Sequence, residues 1–288
     1  MMTLLMDGKA TARKVEEELK LRITTLKEHG KRIPHLSVVL VGDHPASLSY
    51  VGGKEKSCAR VGMSSEVLHI PRNISQAELI KVIQRLNEDT KVDGILVQLP
   101  LPSELDAQEV VRAIDPMKDV DGLHPINVGK MHMQMKGFEP CTPRGIIRLL
   151  DEYQIPLQGK DVVVIGRSNL VGRPIAQLLL NRNATVTICH SKTADLHRYT
   201  RSADVIVVAI GRPYFLKKDH VSSKTTVIDV GINRLENGKL VGDADFDAMN
   251  GYVANMTPVP GGVGPMTIAM LLENTMDAYF EHESHREV

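Results

Sequence analysis

The 288-residue chain carries no surplus of either charge: Lys plus Arg number 35, as do Asp plus Glu, for a formal net charge of zero. With no global positive field to gather nucleic acid or anionic lipid, recognition is left to local pockets. Cysteine is scarce. Cys58, Cys141 and Cys189 lie far apart and match neither a CxxC pair nor a Cys/His zinc spacing; free thiols in a reducing compartment are the expectation, with no metal. Long apolar runs are also missing. No stretch reaches the length of a membrane span, and the opening MMTLLMDGKATARKVEEEL has too short an apolar run for a signal peptide. A cytoplasmic protein bound to neither membrane nor nucleic acid is expected. There is no short internal repeat and no low-complexity segment. MHMQM at 131–135 lacks a second ligand cluster and reads as an irregular loop, and the terminal HESHREV reads as a frayed tail.

What is present is a core-forming composition, 42% apolar, on a chain long enough to favour two domains. Apolar residues at Ala10, Val15, Leu19, Ile23 and Leu26 form a helical stripe over 9–29 that Gly30 would end. LSVVLV at 36–41 reads as a buried strand, as do 66–70 and 94–97. Helices fall between them, one of them opened by the capping box Ser75-Gln-Ala-Glu78. Strand alternating with helix implies a parallel sheet covered on its faces.

In SLSYVGGK at 47–54, with Ser47 as the expected N-cap and Gly62 as the stop, Tyr50 and Lys54 fall one turn apart on one helix face. Such a pair is commonly a packed ring and a solvated charge. Gly52 and Gly53 would each weaken the helix by about 1 kcal/mol, which suggests a close approach to its backbone there. The strand at 94–97 runs into Gln98-Leu-Pro-Leu-Pro102, placing an amide at the carboxyl end of a strand, where open α/β sheets bind ligands; the alternative is an amide that satisfies the proline turn. Asp119 and Asp121 follow in KDVDGLHP, a setting in which a carboxylate is most often a turn residue. Thr142 and Pro143 look like the N-cap and first position of a further helix.

DVVVI at 161–165 enters GRSNLVGRP and then a helix at 175–180. A glycine-bearing strand-to-helix turn can present backbone amides to a pyrophosphate, although Ser168 stands where the second glycine of GxGxxG would be, and an ordinary tight turn is the alternative. Strands at 185–189, 205–208 and 226–230 complete a Rossmann-like succession. After the second of these strands the sequence is Cys-His-Ser191-Lys192-Thr, with no acidic residue for a ribose. A hydroxyl beside bases, with Arg167 in the first turn, suits a 2′-phosphate, so NADP is the expected cofactor. PVPGGVGP at 258–265, restrained and permissive by turns, can pass closely over a ligand before an apolar helix at 266–279.

Seven stretches, SLSYVGGKEKSC, DGILVQLPLP, KDVDGLHPINVGK, PCTPRG, GRSNLVGRP, CHSKT and TPVPGGVGPMT, together resemble the bifunctional methylenetetrahydrofolate dehydrogenase/cyclohydrolase family, in its order and over nearly the whole chain. The resemblance implies a two-domain α/β fold: a folate-binding catalytic domain over 1–121, with the helix at 266–282 packing back on it, and a Rossmann-like NADP-binding domain over 122–265, with an active-site cleft between them. It implies a homodimer acting on a folate, oxidising 5,10-methylene-tetrahydrofolate with NADP and hydrolysing the methenyl product to the 10-formyl form. By position it implies that Lys54 is the central catalytic residue, that Tyr50 and Gln98 shape its surroundings, and that Asp121 holds the pterin. It likewise implies that Gly166, Arg167 and Ser168 form the NADP turn, with Ser191 near the 2′-phosphate and Ile232 beside the nicotinamide. Pro260, Gly261 and Gly262 would belong to a substrate loop. Gly52-Gly53 and His124-Pro125 are local departures. Partial burial and contact with Gln98 are expected to lower the pKa of Lys54. A short-chain dehydrogenase also uses YxxxK but places its nucleotide turn first, and a non-catalytic NADP sensor would not need Lys54, Gln98 and Asp121 together.

Overall fold

The structure, a computed structural model, describes residues 2–286. The elements of the first half are β1 (Leu4–Leu5), α1 (Gly8–Glu28), β2 (His35–Val41), α2 (Pro45–Val61), β3 (Ser64–Ile70), α3 (Gln76–Glu88), β4 (Gly94–Val97), α4 (Ala107–Ala113) and α5 (Pro125–His132). They are followed by α6 (Cys141–Glu152), β5 (Asp161–Ile165), α7 (Gly172–Asn181), β6 (Thr185–Cys189), α8 (His197–Thr200), β7 (Val205–Val208) and β8 (Thr226–Asp229). The short β9 (Asn233–Arg234), β10 (Leu240–Val241), α9 (Phe246–Met249) and β11 (Asn255–Met256) lead to the long α10 (Val263–Arg286).

The chain forms two compact units, one of Met1–Ala12 with Thr142–Thr267 and the other of Arg13–Cys141 with Ile268–Val288. The sequence boundary at 121/122 therefore differs from the division at 141/142, and the N-terminal strand falls in the Rossmann-like unit. The reason for the second difference is pairing: β1 lies parallel to β11, Leu4 opposite Asn255, at the edge of that unit's sheet. The helix expected at 266–282 does contribute to the other unit, from Ile268 onward.

In the unit that carries Lys54 a parallel sheet runs in the order β3-β2-β4. β2 is central and buried almost throughout, hence its unbroken apolar run. α3 covers one face with Leu79, Ile83 and Leu86, each burial contributing about 1.5–3 kcal/mol. Its capping box forms as expected, the Ser75 hydroxyl accepting from the Glu78 N–H at 3.3 Å while the Glu78 carboxylate accepts from the Ser75 N–H at 3.0 Å. At the other end of α3 the buried Lys118 ammonium donates to the carbonyls of Leu86, Asn87 and Asp89 at 2.7–2.9 Å, supplying positive charge where the helix dipole is negative. That anchor lays residues 118–121 alongside β4, where Ile95 donates to the Lys118 carbonyl at 2.8 Å.

α2 begins one turn earlier than the sequence suggested. Pro45 occupies its first turn with His44 as N-cap, and Ser47 is a buried residue inside the helix rather than its cap, because proline's fixed φ already suits a helical start. Gly62, at φ 82°, ends it. No protein atom lies within 4 Å of where a Gly52 Cβ would stand, and Gly53 would meet only Ile268 at 3.9 Å. The expected close approach is thus not made by the protein's described residues. Likewise α6 starts at Cys141, so Thr142 is a helical residue, its hydroxyl paired with that of Thr267 at 2.9 Å.

The terminal segment is not frayed through Arg286; Glu287 and Val288 lie outside the described residues. α10 continues because its last turns are held. His282 bonds the buried Asp93 at 3.1 Å, and Glu283 pairs with Arg32 at 2.8 Å. Arg32 also clasps both oxygens of Asp93 at 2.7 and 2.8 Å and stacks over Tyr279.

The six-stranded sheet of the other unit is parallel, in the order β1-β11-β8-β7-β5-β6. Its strands β5, β7 and β8 are buried along nearly their whole length, β7 with apolar residues throughout. Register sets Ile165 beside Cys189 on one side and beside Val208 on the other, and Val208 beside Asp229. The turns that leave these strands therefore share one edge of the sheet.

Two stability predictions arise here. Burial would raise the Asp93 pKa, but bonds from His282, Arg32 and the His35 N–H outweigh it and hold the carboxyl below its ordinary value. Its stabilisation is therefore complete above the unfolded carboxyl pKa, about 3.9, and is lost as pH falls through the lower folded value. Asp93→Asn should cost about 3 kcal/mol in urea unfolding at neutral pH and flatten that acid-side loss; an unchanged acid profile would contradict this. Gly52→Ala, in open space within a helix, should raise unfolding stability by about 1 kcal/mol in the same titration.

Candidate active site

Residues 118–121 can lie against β4 because Gly94 has no side chain; a Cβ there would sit 2.8 Å from the Val120 methyls. Gly122, at φ 72°, then turns the chain, and a Cβ would stand within 2.6 Å of the Glu139 and Pro140 backbone. Asp121 is thus delivered to the carboxyl end of β4, where Gln98 also emerges. The Lys54 ammonium, from α2, donates to Gln98 Oε1 at 2.8 Å. Gln98 is held in turn by its own amide, which donates to the Leu99 carbonyl at 2.6 Å. Of the two sequence readings for Gln98, the amide does satisfy the proline turn, and its oxygen faces the lysine.

Burial lowers the Lys54 pKa, with Asp121 and the Cys141 and Cys58 thiols pulling the other way. Gln98 is not what lowers it, since a carbonyl oxygen that accepts from an ammonium favours the charged form. The expected direction holds, then, through burial and not through the Gln98 contact. Asp121 is raised by burial and drawn back by Lys54 and by the Cys141 thiol. Tyr50, one turn before Lys54, leaves 46% of its surface exposed, open to whatever occupies the site.

Asp119, two residues before Asp121, is a different kind of group. Buried and raised to about 7 by that burial, it accepts from the N–H groups of Leu123 and His124 and from Asn127 Nδ2 at 2.8–3.2 Å. His124 then caps α5, its ring nitrogen accepting from the Ile126 N–H at 3.1 Å with Pro125 in the first turn. The His124-Pro125 departure is therefore a helix start. Two residues that sequence reasoning did not single out stand behind the site. The Cys141 thiol donates to the Val120 carbonyl at 3.2 Å, and the buried Asn274 amide donates to the same carbonyl at 2.8 Å and to that of Glu139 at 3.1 Å. An asparagine within a largely apolar helical stretch was the available signal for the second.

In the other unit, Gly166 and Gly172 are required by packing: a Cβ on Gly166 would collide with the Ala209 carbonyl, and one on Gly172 with that of Gly166. The Ser168 hydroxyl accepts from the Val171 and Gly172 N–H groups at 3.2 and 3.4 Å, closing the turn into α7. Arg167 and Ser191 leave adjacent strand ends and both are exposed. This turn, hydroxyl and guanidinium suit a nucleotide bearing an additional phosphate. Ile232 follows β8, 47% exposed. Pro260, Gly261 and Gly262 belong to this unit. The glycines here receive the start of α1, for the Lys9 N–H bonds the Gly261 carbonyl at 3.1 Å and a Cβ on Gly8 would collide with that of Gly262.

His197, Asp219 and His220 cluster with ligand atoms within 4.8 Å of one another. The two imidazoles stack face to face, centroids 4.3 Å apart and planes at 10°. Lone pairs lying in parallel planes run side by side and do not converge on an ion.

Two family models match the chain: the catalytic domain of tetrahydrofolate dehydrogenase/cyclohydrolase over residues 6–121 and its NAD(P)-binding domain over 140–283. The bifunctional protein FolD of Campylobacter hominis is 56% identical over 272 residues, covering 94% of this chain and 95% of its own. The crystal structure of the FolD methylenetetrahydrofolate dehydrogenase/cyclohydrolase from Campylobacter jejuni superposes with a TM-score of 0.95 at 52% identity, covering 97% of this chain and 99% of that one. That of the Trypanosoma brucei enzyme, complexed with NADP and an inhibitor, gives 0.93 at 36% identity over 98% of both chains. With these two domains and the lysine, amide and carboxylate gathered at the strand ends, the chain belongs to the tetrahydrofolate dehydrogenase/cyclohydrolase family.

Proposed function

We propose that Lys54, Gln98, Asp121 and Tyr50 form the reaction centre of a bifunctional enzyme. It oxidises 5,10-methylene-tetrahydrofolate to the 5,10-methenyl form with NADP and hydrolyses that product to 10-formyl-tetrahydrofolate. The observation that carries this assignment is a lysine whose ammonium is disfavoured by burial yet held at 2.8 Å from a fixed amide. Bound NADP supplies the hydride acceptor, on a turn shaped by Gly166 and Gly172.

Removal of a hydride leaves the folate carbon between two nitrogens as a cation, and water adds to it. Neutral Lys54 accepts the proton that the water loses. For the adduct to collapse, the hydroxyl loses its proton, the bond from carbon to N5 breaks and N5 gains a proton; one proton is released overall. An ammonium near its ordinary pKa could not begin this sequence, so burial of Lys54 is part of the chemistry. Gln98 aims the amine, Asp121 binds the pterin, and the exposed Tyr50 ring lies along the folate. Arg167 and Ser191 take the 2′-phosphate, with Ile232 at the nicotinamide end. Pro260, Gly261 and Gly262 are assigned to substrate binding after the family resemblance. We extend the reading to a homodimer, after the family resemblance, and to the cytoplasm, where three buried cysteines that form no disulfide fit a reducing milieu.

Lys54→Met keeps the bulk and removes the amine. It should slow methenyl hydrolysis by about 100-fold or more and abolish its rise with pH, which in the native enzyme follows deprotonation below the ordinary 10.5. Hydrolysis at a near-normal rate would remove Lys54 from its role. Arg167→Ala should raise the KM for NADP about tenfold while leaving that for NAD within about twofold. Equal changes would place the 2′-phosphate elsewhere.

A further inference from the structure

Two loops leave the carboxyl edge of the six-stranded sheet near Ile232, after β7 and after β8, and two buried carboxylates tie them to the segment that follows β10. The first loop follows β7. Its three successive N–H groups, of Ile210, Gly211 and Arg212, donate to the Asp243 carboxylate at 2.7, 2.9 and 2.8 Å. The Asn233 amide, just beyond Ile232, donates to the same carboxylate at 2.9 Å. Asp229, at the end of β8, takes the N–H groups of Gly231, Asp243 and Ala244 at 2.8–3.0 Å. Both carboxylates are almost wholly buried. Their space is reserved, since a Cβ on Gly231 would collide with Asp243 and one on Gly242 with Asp229. Ile232 is therefore set from both sides, through the Gly231 N–H on one and the Asn233 amide on the other.

We infer that Asp243 is a positioning residue for hydride transfer, which fixes the loop after β7 and the Ile232 segment in the geometry that holds the nicotinamide. The inference rests on the assignment of Ile232 to the nicotinamide end. A carboxylate suits this task because it offers several lone pairs to four donors at once, whereas an amide in its place turns an NH2 group toward N–H groups. Displacement of a reacting ring by about 1 Å can cost about 100-fold in rate.

The test uses the two activities of one chain, because hydrolysis of methenyl-tetrahydrofolate needs no nicotinamide. Asp243→Asn should lower dehydrogenase kcat/KM by about 100-fold, chiefly through kcat and to the same extent with NADP as with NAD, while hydrolysis without nucleotide stays within about twofold. Asn233→Ala, which removes one of the four bonds, should give the same pattern at smaller size, and it carries the test if Asp243→Asn does not fold. A folded Asp243→Asn protein with normal oxidation would overturn the inference. So would a loss of both activities in step, or an Asn233→Ala variant that oxidises normally. A native chain that hydrolyses the methenyl compound but oxidises nothing would instead refute the reading beneath it.

Discussion

The arrangement around Lys54 depends on taking one ammonium partly out of water. Fully solvated, Lys54 would keep its ordinary basicity, and buried without partners its ammonium would be too costly to hold. Gln98 supplies a neutral oxygen and Asp121 a nearby charge that is itself raised by burial. The lysine is thus neither left bare nor locked into a strong ion pair. Much of that unit serves this compromise: Gly94 lets residues 118–121 approach β4, Lys118 pins their start, and Asn274 with Cys141 holds the Val120 carbonyl beside Asp121.

The regular elements were legible in the sequence because one physical signal dominates each. Fully apolar runs such as LSVVLV and DVVVI are buried strands, and the Ser75/Glu78 box and Gly62 mark helix ends with groups that satisfy backbone donors and carbonyls. Gln98, Asp121 and Lys54 could be named, but their meeting depends on a four-residue segment lying beside β4, which no local pattern encodes. The errors fell where tertiary contact overrides local preference. HESHREV is polar and terminal, yet Asp93 and Arg32 extend α10 through most of it. Thr142 and Ser47 resemble caps, and each lies inside a helix. The short β1 carries almost no signal of its own and is a strand only because β11 is there to pair with it.

Asp119 and Asp121 show why residue type alone is a weak guide to chemistry. Both are acidic, adjacent in pattern and raised by burial. Asp119 has two backbone N–H groups and an asparagine amide committed to it, so its oxygens organise a turn and the start of α5. Asp121 faces the lysine and a thiol. The difference lies in their partners, which the sequence does not display.

The same distinction separates the two turns at the edge of the six-stranded sheet. A run of backbone N–H groups at the end of a strand attracts an anion, and the protein answers that demand differently in the two places. After β7 the anion is internal: Asp243 fills the run formed by Ile210, Gly211 and Arg212, so that loop is fixed and has no call for a phosphate. After β5 the protein provides only a small hydroxyl, Ser168, which closes the turn into α7. Gly166 and Gly172 keep that turn close to the sheet, and Arg167 and Ser191 stand exposed beside it. Among the described residues the turn after β5 is closed by a hydroxyl, whereas the loop after β7 is held by a carboxylate. The loop after β7 thus carries its own anion, while the turn after β5 suits one from outside the chain.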